Sequence, residues 1–215
     1  MAGLSLALEK YGTMALGRVL APSIKLAADG FAVGPTLAVI IRDNYEEILK
    51  QKELAKIFCP GDLPLEPGDT LRNPELAESL RKIAAGGPDV FYRGELAEKI
   101  AAEMKERGGF ITRDDLASYR AVERTPVRGS YREYDLISAP PPVGGLAVVE
   151  TLQILEHFNL AQFGPLSPAR IHLMAEAMKR GATDWRAFVG DPDFVKVPAA
   201  GLLSKSYAKA RAAEI

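Results

Sequence analysis

The residues with the clearest potential for chemistry are Ser79 and Lys82, in the segment Ser79-Leu80-Arg81-Lys82. On a helix this spacing places the hydroxyl and the amine one turn apart, as the SxxK motif of penicillin-recognising serine enzymes requires. The partner motifs of those enzymes do not occur in the chain, and four-residue matches arise easily by chance. The pair is therefore a weak candidate for a nucleophile and its base.

The other reactive side chains have no partners at a useful spacing. His157 and His172 lie on separate predicted helices, and no Cys or His stands at metal-ligand distance in the sequence, so surface or hydrogen-bonded histidines are the better interpretation. Cys59, the single cysteine, lies in a turn-rich stretch and is interpreted as a structural thiol on a loop. The sequence predicts no metal site and no cofactor.

Two carboxylates stand close together in the turn Gly190-Asp191-Pro192-Asp193-Phe194. Calcium needs more oxygen ligands than this stretch offers, whereas aspartates in such turns commonly accept hydrogen bonds from neighbouring amides. The motifs GxSxG, GxGxxG, HExxH and the Walker loop do not occur. Taken by themselves, the residues describe a scaffold without a visible reaction centre.

Composition narrows the class of protein. The chain has 215 residues, 47% hydrophobic and 26% charged, with a formal net charge of −1. No run of five like charges occurs, which argues against a nucleic-acid partner and against a basic membrane-binding surface. There is no apolar stretch of about 18 residues and no signal-peptide pattern at Met1, so we expect a soluble chain that carries no export signal as written.

Periodicity and capping signals predict a mainly helical chain. Asn73 is the expected N-cap of a helix that Pro74 begins, and Thr112 with Asp115 forms an imperfect capping box. Residues 59–69, with three prolines and two glycines, are predicted to be a loop. The predicted helices before residue 120 are 4–11, 15–29, 37–56, 74–86, 96–104 and 113–119.

The second part of the chain combines short strands with apolar helices. Residues 125–131 and 134–138 predict a small antiparallel pair, and residues 140–142 are expected to be extended. The helix predicted over 146–158 is apolar nearly all round, with a polar stripe of Glu150, Gln153 and His157, so it should be central and covered on several sides. The next helix is predicted to have an inner face, and the last, 204–214, to be peripheral. That inner face consists of Ile171, Met174, Ala175, Met178 and Ala182.

The order of these landmarks resembles the large subunit of γ-glutamyltranspeptidase (γ-glutamyltransferase, glutathione hydrolase). Each matching piece is weak alone, but their order and spacing over nearly all of the chain is specific. The matching segments are 2–4, 9–13, 21–22, 26–27, 29–31, 65–71, 91–94, 108–112, 115–119, 140–145, 175–177 and 190–194.

This resemblance implies a fragment of an αββα N-terminal-nucleophile hydrolase fold, mainly α with a small antiparallel β element. It implies a partial large-subunit domain over 1–215, with helical segments 1–120 and 144–215 and short strands within 121–138. In the family, a precursor cuts itself to expose the threonine that begins the small subunit. That threonine attacks γ-glutamyl amides such as glutathione, and its own α-amine can act as the base. A periplasmic or extracellular location is also implied.

The resemblance covers the later part of the large subunit, and the chain ends before the catalytic threonine would follow. The upstream arginine that grips the substrate carboxylate is not in the chain either. We therefore expect no catalytic, substrate-binding or metal-binding residue among 1–215, and we expect the chain alone to be inactive. The implied partners are the small subunit of the same precursor and γ-glutamyl compounds, with no nucleic acid and no membrane.

Two departures from the family pattern bear on substrate and turnover. Val143 stands alone where the family usually has two small hydroxyl residues before Gly144-Gly145. Trp185 stands where the family usually has an arginine after Asp184, and Arg186, the next residue, is the expected substitute for that arginine. Two other functions stay open. One is a glutaryl- or cephalosporin-acylase-like member of the same superfamily, and the other is a non-catalytic helical scaffold.

Overall fold

The structure is a computed structural model that describes residues 1–215, and the chain divides into two compact units. Unit 1 is Met1–Val122 and unit 2 is Glu123–Ile215. Both units consist mostly of helices, and each contains one two-stranded antiparallel sheet. The expected class, mainly α with a small antiparallel β element, is confirmed.

Unit 1 contains nine helices and one short strand pair. The helices are α1 (Ala2–Tyr11), α2 (Leu16–Asp29), α3 (Pro35–Asp43), α4 (Tyr45–Leu49), α5 (Lys52–Phe58), α6 (Pro74–Gly86), α7 (Asp89–Tyr92), α8 (Glu95–Glu106) and α9 (Arg113–Ser118). Strand β1 (Phe31–Ala32) pairs with β2 (Thr70–Leu71). The two predicted caps are confirmed: Asn73 accepts the Leu76 N–H at 2.9 Å, and Thr112 and Asp115 form both arms of a capping box.

The core of unit 1 is apolar and lies around α3 and the loop that follows α5. Its fully buried members pack against half-buried aromatic and aliphatic side chains of α3, α4 and α5. Leu65 N–H donates to the Phe58 carbonyl at 3.1 Å, which fixes the loop against the end of α5. The buried members are Val33, Ala38, Ile41, Cys59, Leu65 and Leu71.

The single helix predicted over 37–56 is wrong, because the chain forms α3, α4 and α5 there instead. At the first break, between α3 and α4, the side-chain amide of Asn44 donates to the Ile40 carbonyl at 2.9 Å. Asparagine competes in this way with the backbone and favours helix ends. Within α3, Ile41 faces the core and is 2% exposed, whereas its neighbour Ile40 faces away from the core and is 53% exposed.

Unit 2 is built around a hairpin and four helices. Strand β3 (Val127–Tyr131) pairs with β4 (Tyr134–Ser138), in a register that runs from Val127↔Ser138 to Tyr131↔Tyr134, so the predicted pair is confirmed. The helices are α10 (Gly145–Leu155), α11 (Pro168–Phe188), α12 (Ala199–Leu202) and α13 (Lys205–Ala212). Residues 140–142 form a turn with a cis Pro141–Pro142 bond rather than the extended segment expected, and Val143 N–H donates to the Pro140 carbonyl at 3.1 Å.

Helix α10 is central to unit 2, as predicted, although it ends at Leu155 rather than at Phe158. It packs against β3, β4, α11, α12 and α13. Its buried positions are Gly145, Leu146, Val149, Glu150, Gln153, Ile154 and Leu155. Val148 is 56% exposed. The polar residues Glu150 and Gln153 therefore face the interior, while an apolar strip of the same helix faces outward.

The predicted inner face of α11 is wrong. Ile171 and Met178 are 53% and 58% exposed, and the buried positions are Ala177, Gly181 and Asp184. The reason is the close approach of α11 to α10: a Cβ on Gly181 would lie 2.9 Å from the Ala147 carbonyl oxygen. Only a face of small residues permits that approach, so the large apolar side chains turn outward.

The last helix is not peripheral, contrary to the prediction. Ala208 and Ala212 of α13 are buried in one cluster with Ile154, Leu155 and Ala177. Their small side chains let the helix backbone lie close to α10. The Lys- and Ala-rich composition of the segment reflects this one-sided packing.

Candidate functional site

The Ser79–Lys82 pair does not form a nucleophile and base. The Ser79 hydroxyl donates to the Glu75 carbonyl at 3.0 Å, which is an ordinary bond back to the preceding turn of α6. The Lys82 amine forms an ion pair with Glu95 at 2.6 Å. Both groups are thus engaged elsewhere, and the motif match has no catalytic geometry.

Cys59 and the two histidines also lack catalytic surroundings. Cys59 is buried, and burial together with the nearby Asp62 carboxylate raises the pKa of its thiol, so it is a thiol rather than a reactive thiolate. His157 and His172 are exposed. No group of three or more His, Cys, Asp and Glu side chains could hold a metal ion.

The paired aspartates of the 190–194 turn hold an arginine. Arg124 Nη2 lies 3.3 Å from Asp191 Oδ1 and 2.9 Å from Asp193 Oδ2, and these bonds raise the pKa of Arg124. Asp191 Oδ1 also accepts the Asp193 N–H at 3.0 Å, which is the backbone-capping role that the sequence indicated. The arginine that joins this turn to the segment before β3 was not predicted.

The principal concentration of buried polar groups lies between α10, α11 and α13. Glu150, Gln153 and Asp184 are 0%, 1% and 5% exposed. The Tyr207 hydroxyl donates to Asp184 Oδ2 at 2.7 Å, and Arg211 Nε lies 3.6 Å from the same oxygen. We call Glu150, Gln153, Asp184, Tyr207 and Arg211 the buried polar cluster.

The electrostatics of the buried polar cluster are unusual for a protein interior. Burial, and then the neighbouring Asp184 carboxylate, raise the pKa of Glu150 to about 8. Burial and Asp184 also raise the pKa of Tyr207 to about 12. No protein donor reaches either Glu150 oxygen or Gln153 Oε1, and the Arg211 Nε–H has no hydrogen-bond acceptor. Leaving such groups unpaired in an interior is costly, so the protonation state of Glu150 matters for the fold.

Sequence reasoning missed this cluster although a signal was present. A helix that is apolar nearly all round must bury most of its surface, so a polar residue on it has a high chance of being interior. The sequence pattern predicts one polar stripe of Glu150, Gln153 and His157, but only His157 is exposed. Glu150 and Gln153 are buried on α10, whereas His157 lies beyond the end of that helix at Leu155.

Each unit also presents an open apolar groove. In unit 1 a groove of about 620 Å³ lies between α6 and α8, lined by Leu76, Leu80, Ile83, Leu96 and Ile100 among others. In unit 2 a groove of about 380 Å³ lies between α10 and α11, where Val148, Leu152, Met174 and Met178 line it. These surfaces are typical of faces that pack against further protein. None of the helices has the length and hydropathy to cross a bilayer.

Comparison with known proteins identifies the family. The family model described as γ-glutamyltranspeptidase matches residues 1–215. The chain belongs to the γ-glutamyltranspeptidase family. It is 49% identical over 217 residues to the glutathione hydrolase proenzyme of Escherichia coli (strain K12), covering 100% of this chain and 37% of that protein. It is also 43% identical to the acylase ACY 1 proenzyme of Pseudomonas sp. (strain SE83), covering 97% and 38%.

The fold agrees with that assignment. The solved structure of Helicobacter pylori γ-glutamyltranspeptidase matches with a TM-score of 0.94 at 39% identity, covering 100% of this chain and 62% of that one. The family resemblance seen in the sequence, to the large-subunit region, is confirmed. The chain spans little more than a third of the length of the curated relatives it matches.

The structure places the two departures from the family pattern. Val143 is exposed in the turn that precedes α10. Trp185 is half-buried beside Asp184 on α11, and its Nε1–H has no protein acceptor. Arg186 is exposed, and the cation next to Asp184 is Arg211 of α13. Asp184 is therefore paired with Arg211 and not with Arg186.

Proposed function

We propose that this chain is the large-subunit portion of a γ-glutamyltransferase/glutathione hydrolase. The complete protein would cleave γ-glutamyl amide bonds and transfer the γ-glutamyl group to water or to amino-acid and peptide acceptors. The observation that carries this proposal is the 49% identity, across the whole chain, to a protein named glutathione hydrolase proenzyme. A TM-score of 0.94 to a γ-glutamyltranspeptidase structure supports it.

In this proposal none of residues 1–215 is the nucleophile. The family resemblance assigns attack to the N-terminal threonine of a small subunit, whose amine serves as base. The engaged Ser79 and Lys82, the buried Cys59 and the exposed histidines support that division of labour. The chain would contribute a packed helical scaffold, and its open apolar grooves are suited to the remainder of the precursor. The same resemblance is the basis for proposing a periplasmic or extracellular location.

An acylase of the same superfamily is the second candidate. The 43% identity to acylase ACY 1 shows that this scaffold also occurs in a protein with that name. The residues that would discriminate the two substrates are expected outside the chain. A non-catalytic scaffold remains the alternative from another class, and activity measurements separate it from both enzymes.

The proposal is tested with a chimaera. The matching 217-residue segment of the E. coli proenzyme is replaced by this chain, and release of chromophore from a γ-glutamyl anilide is measured. We expect self-cleavage of the precursor and turnover by the chimaera. The isolated 215-residue chain should show none, because it supplies no activated nucleophile.

Two controls sharpen the result. A chimaera that also carries Ser79→Ala should keep its turnover, since Ser79 only bonds its own helix. A second chimaera, in the Pseudomonas acylase precursor, tests whether the segment supports acylase chemistry equally well. A chimaera that is soluble and cleaved but inactive on the anilide would contradict the proposal, as would turnover by the isolated chain that Ser79→Ala abolishes.

A further inference from the structure

The buried polar cluster contains two interacting carboxyl groups, and the cation beside them, Arg211, lies against Asp184. Glu150 lies on α10 and Asp184 on α11, and each is at most 5% exposed. Two ionised carboxylates in an interior repel one another and are poorly solvated, so such pairs retain a proton. The question is which carboxyl holds it.

The hydrogen-bond donors around the pair assign the proton to Glu150. Asp184 Oδ2 accepts a hydrogen bond from the Tyr207 hydroxyl at 2.7 Å, and it forms an ion pair with the Arg211 guanidinium, whose Nε lies 3.6 Å away. Glu150 has no protein donor at either oxygen, so nothing stabilises its negative charge. A protonated Glu150 instead has one O–H to donate, and Asp184 is the acceptor that faces it.

The remaining ionisable groups near α10 do not alter this assignment. On α11, Arg180 is engaged by Glu176 at 2.6 Å and by the Glu214 carbonyl at 2.9 Å. On the hairpin, Tyr131 packs on the apolar cluster around Ile154, and α12 contributes no ionisable side chain. The other ionisable side chains of β3 and β4 are exposed, namely Arg128, Tyr134 and Asp135.

We propose that Glu150 and Asp184 share one proton at neutral pH, with Glu150 the donor and Asp184 the acceptor, and that losing this proton releases α13 from α10 and α11. Both groups that hold Asp184, Tyr207 and Arg211, belong to α13. A new charge on Glu150 repels Asp184 and competes for Arg211. The contacts that tie α13 to α11 therefore weaken together. The packing of α10, α11 and α13 against one another is therefore pH-sensitive.

The sign of the pH effect follows from proton linkage. The pKa of Glu150 rises from 4.5 to about 8 on folding. Between these values the folded chain holds a proton that the unfolded chain has released, so the folded state loses stability as pH rises. The expected loss is at most about tenfold in the folding equilibrium constant per pH unit, or about 1.4 kcal/mol. It ends above the folded pKa, where both states are ionised.

The test is urea unfolding of the 215-residue chain between about pH 5 and pH 9, followed by the fluorescence of Trp185, the single tryptophan. Wild type is compared with Glu150→Gln, whose amide donates to Asp184 without titrating. We expect the stability of wild type relative to this variant to fall steadily up to about pH 8 and then level off. Glu133→Gln, which removes an exposed carboxylate in the same unit, should follow wild type.

Two further measurements keep the proposal falsifiable if Glu150→Gln folds poorly. Carbon NMR of wild type with labelled glutamate carboxyls should show one glutamate that titrates above about pH 7. Hydrogen exchange of α13 should lose protection at high pH relative to α6 of unit 1, after correction for intrinsic rates. Parallel pH profiles for wild type and Glu150→Gln, or no such glutamate, would overturn the shared proton. Unchanged protection of α13 would overturn its release.

Discussion

The cores of the two units are stabilised in different ways. Around α3 in unit 1, the fully buried residues are all apolar, and the polar groups lie at caps and on the surface. In unit 2, the central helix α10 buries Glu150 and Gln153 beside Ile154, and Asp184 of α11 joins them. An apolar core tolerates imprecise neighbours, whereas a buried polar group requires particular partners. Unit 2 should therefore be more sensitive both to substitution and to pH.

The strongest test of that comparison is a charge in the apolar part of the unit 2 core. Leu155→Asp buries a carboxylate among Ile154, Ala177 and Ala208, so we expect a loss of about 3–5 kcal/mol in the free energy of unfolding. Urea unfolding measures it. Val148→Asp, on the exposed strip of the same helix, is the control and should cost far less. Similar losses for both variants would show that α10 is not the core element.

The close contact between α10 and α11 gives the next largest effect. A Cβ on Gly181 would lie 2.6 Å from Thr151 Oγ1 and 2.9 Å from the Ala147 carbonyl oxygen. Gly181→Val must push the helices apart, at a cost of about 1–3 kcal/mol. Gly201→Ala on α12 is a suitable control, since nothing lies within 4 Å of its added Cβ. A Gly181→Val chain as stable as wild type would mean that the two helices can separate freely.

This contact also explains what the sequence could and could not predict. The two caps of unit 1 and the hairpin of unit 2 follow from local signals, and they are present, whereas the single helix predicted over 37–56 is divided into α3, α4 and α5. The inner face of α11 was predicted from its largest apolar residues, yet Gly181 and Asp184 decide its orientation. Side-chain size on a neighbouring helix is non-local information, and periodicity within one helix does not contain it. The buried polar cluster was missed for the same reason.

In unit 1 the corresponding test removes the side chain that caps α6 and leaves the apolar core unchanged. Asn73→Ala leaves the Leu76 N–H without its 2.9 Å acceptor, and we expect a loss of about 1 kcal/mol. The apolar core of unit 1 should remain intact, so the effect should be smaller than those in the α10–α11 contact. Asn159→Ala serves as a control because Asn159 makes no side-chain cap bond. A thermal or urea midpoint that does not move would show that α6 is held by packing alone.

The smallest effect is expected at the surface of unit 2, where Arg124 joins two aspartates of one turn. Arg124→Lys keeps the charge but cannot bridge Asp191 and Asp193 with a planar guanidinium. The pair is largely solvated, so the global midpoint of unfolding should barely change. The local consequence should be visible instead, because the turn over 190–194 loses the group that fixes it. We therefore expect faster hydrogen exchange in that turn, with α10 unaffected. Added salt should speed the same exchange in wild type, because it screens the ion pair. A large drop in global stability would show that this turn, and not the buried helices alone, determines the stability of unit 2.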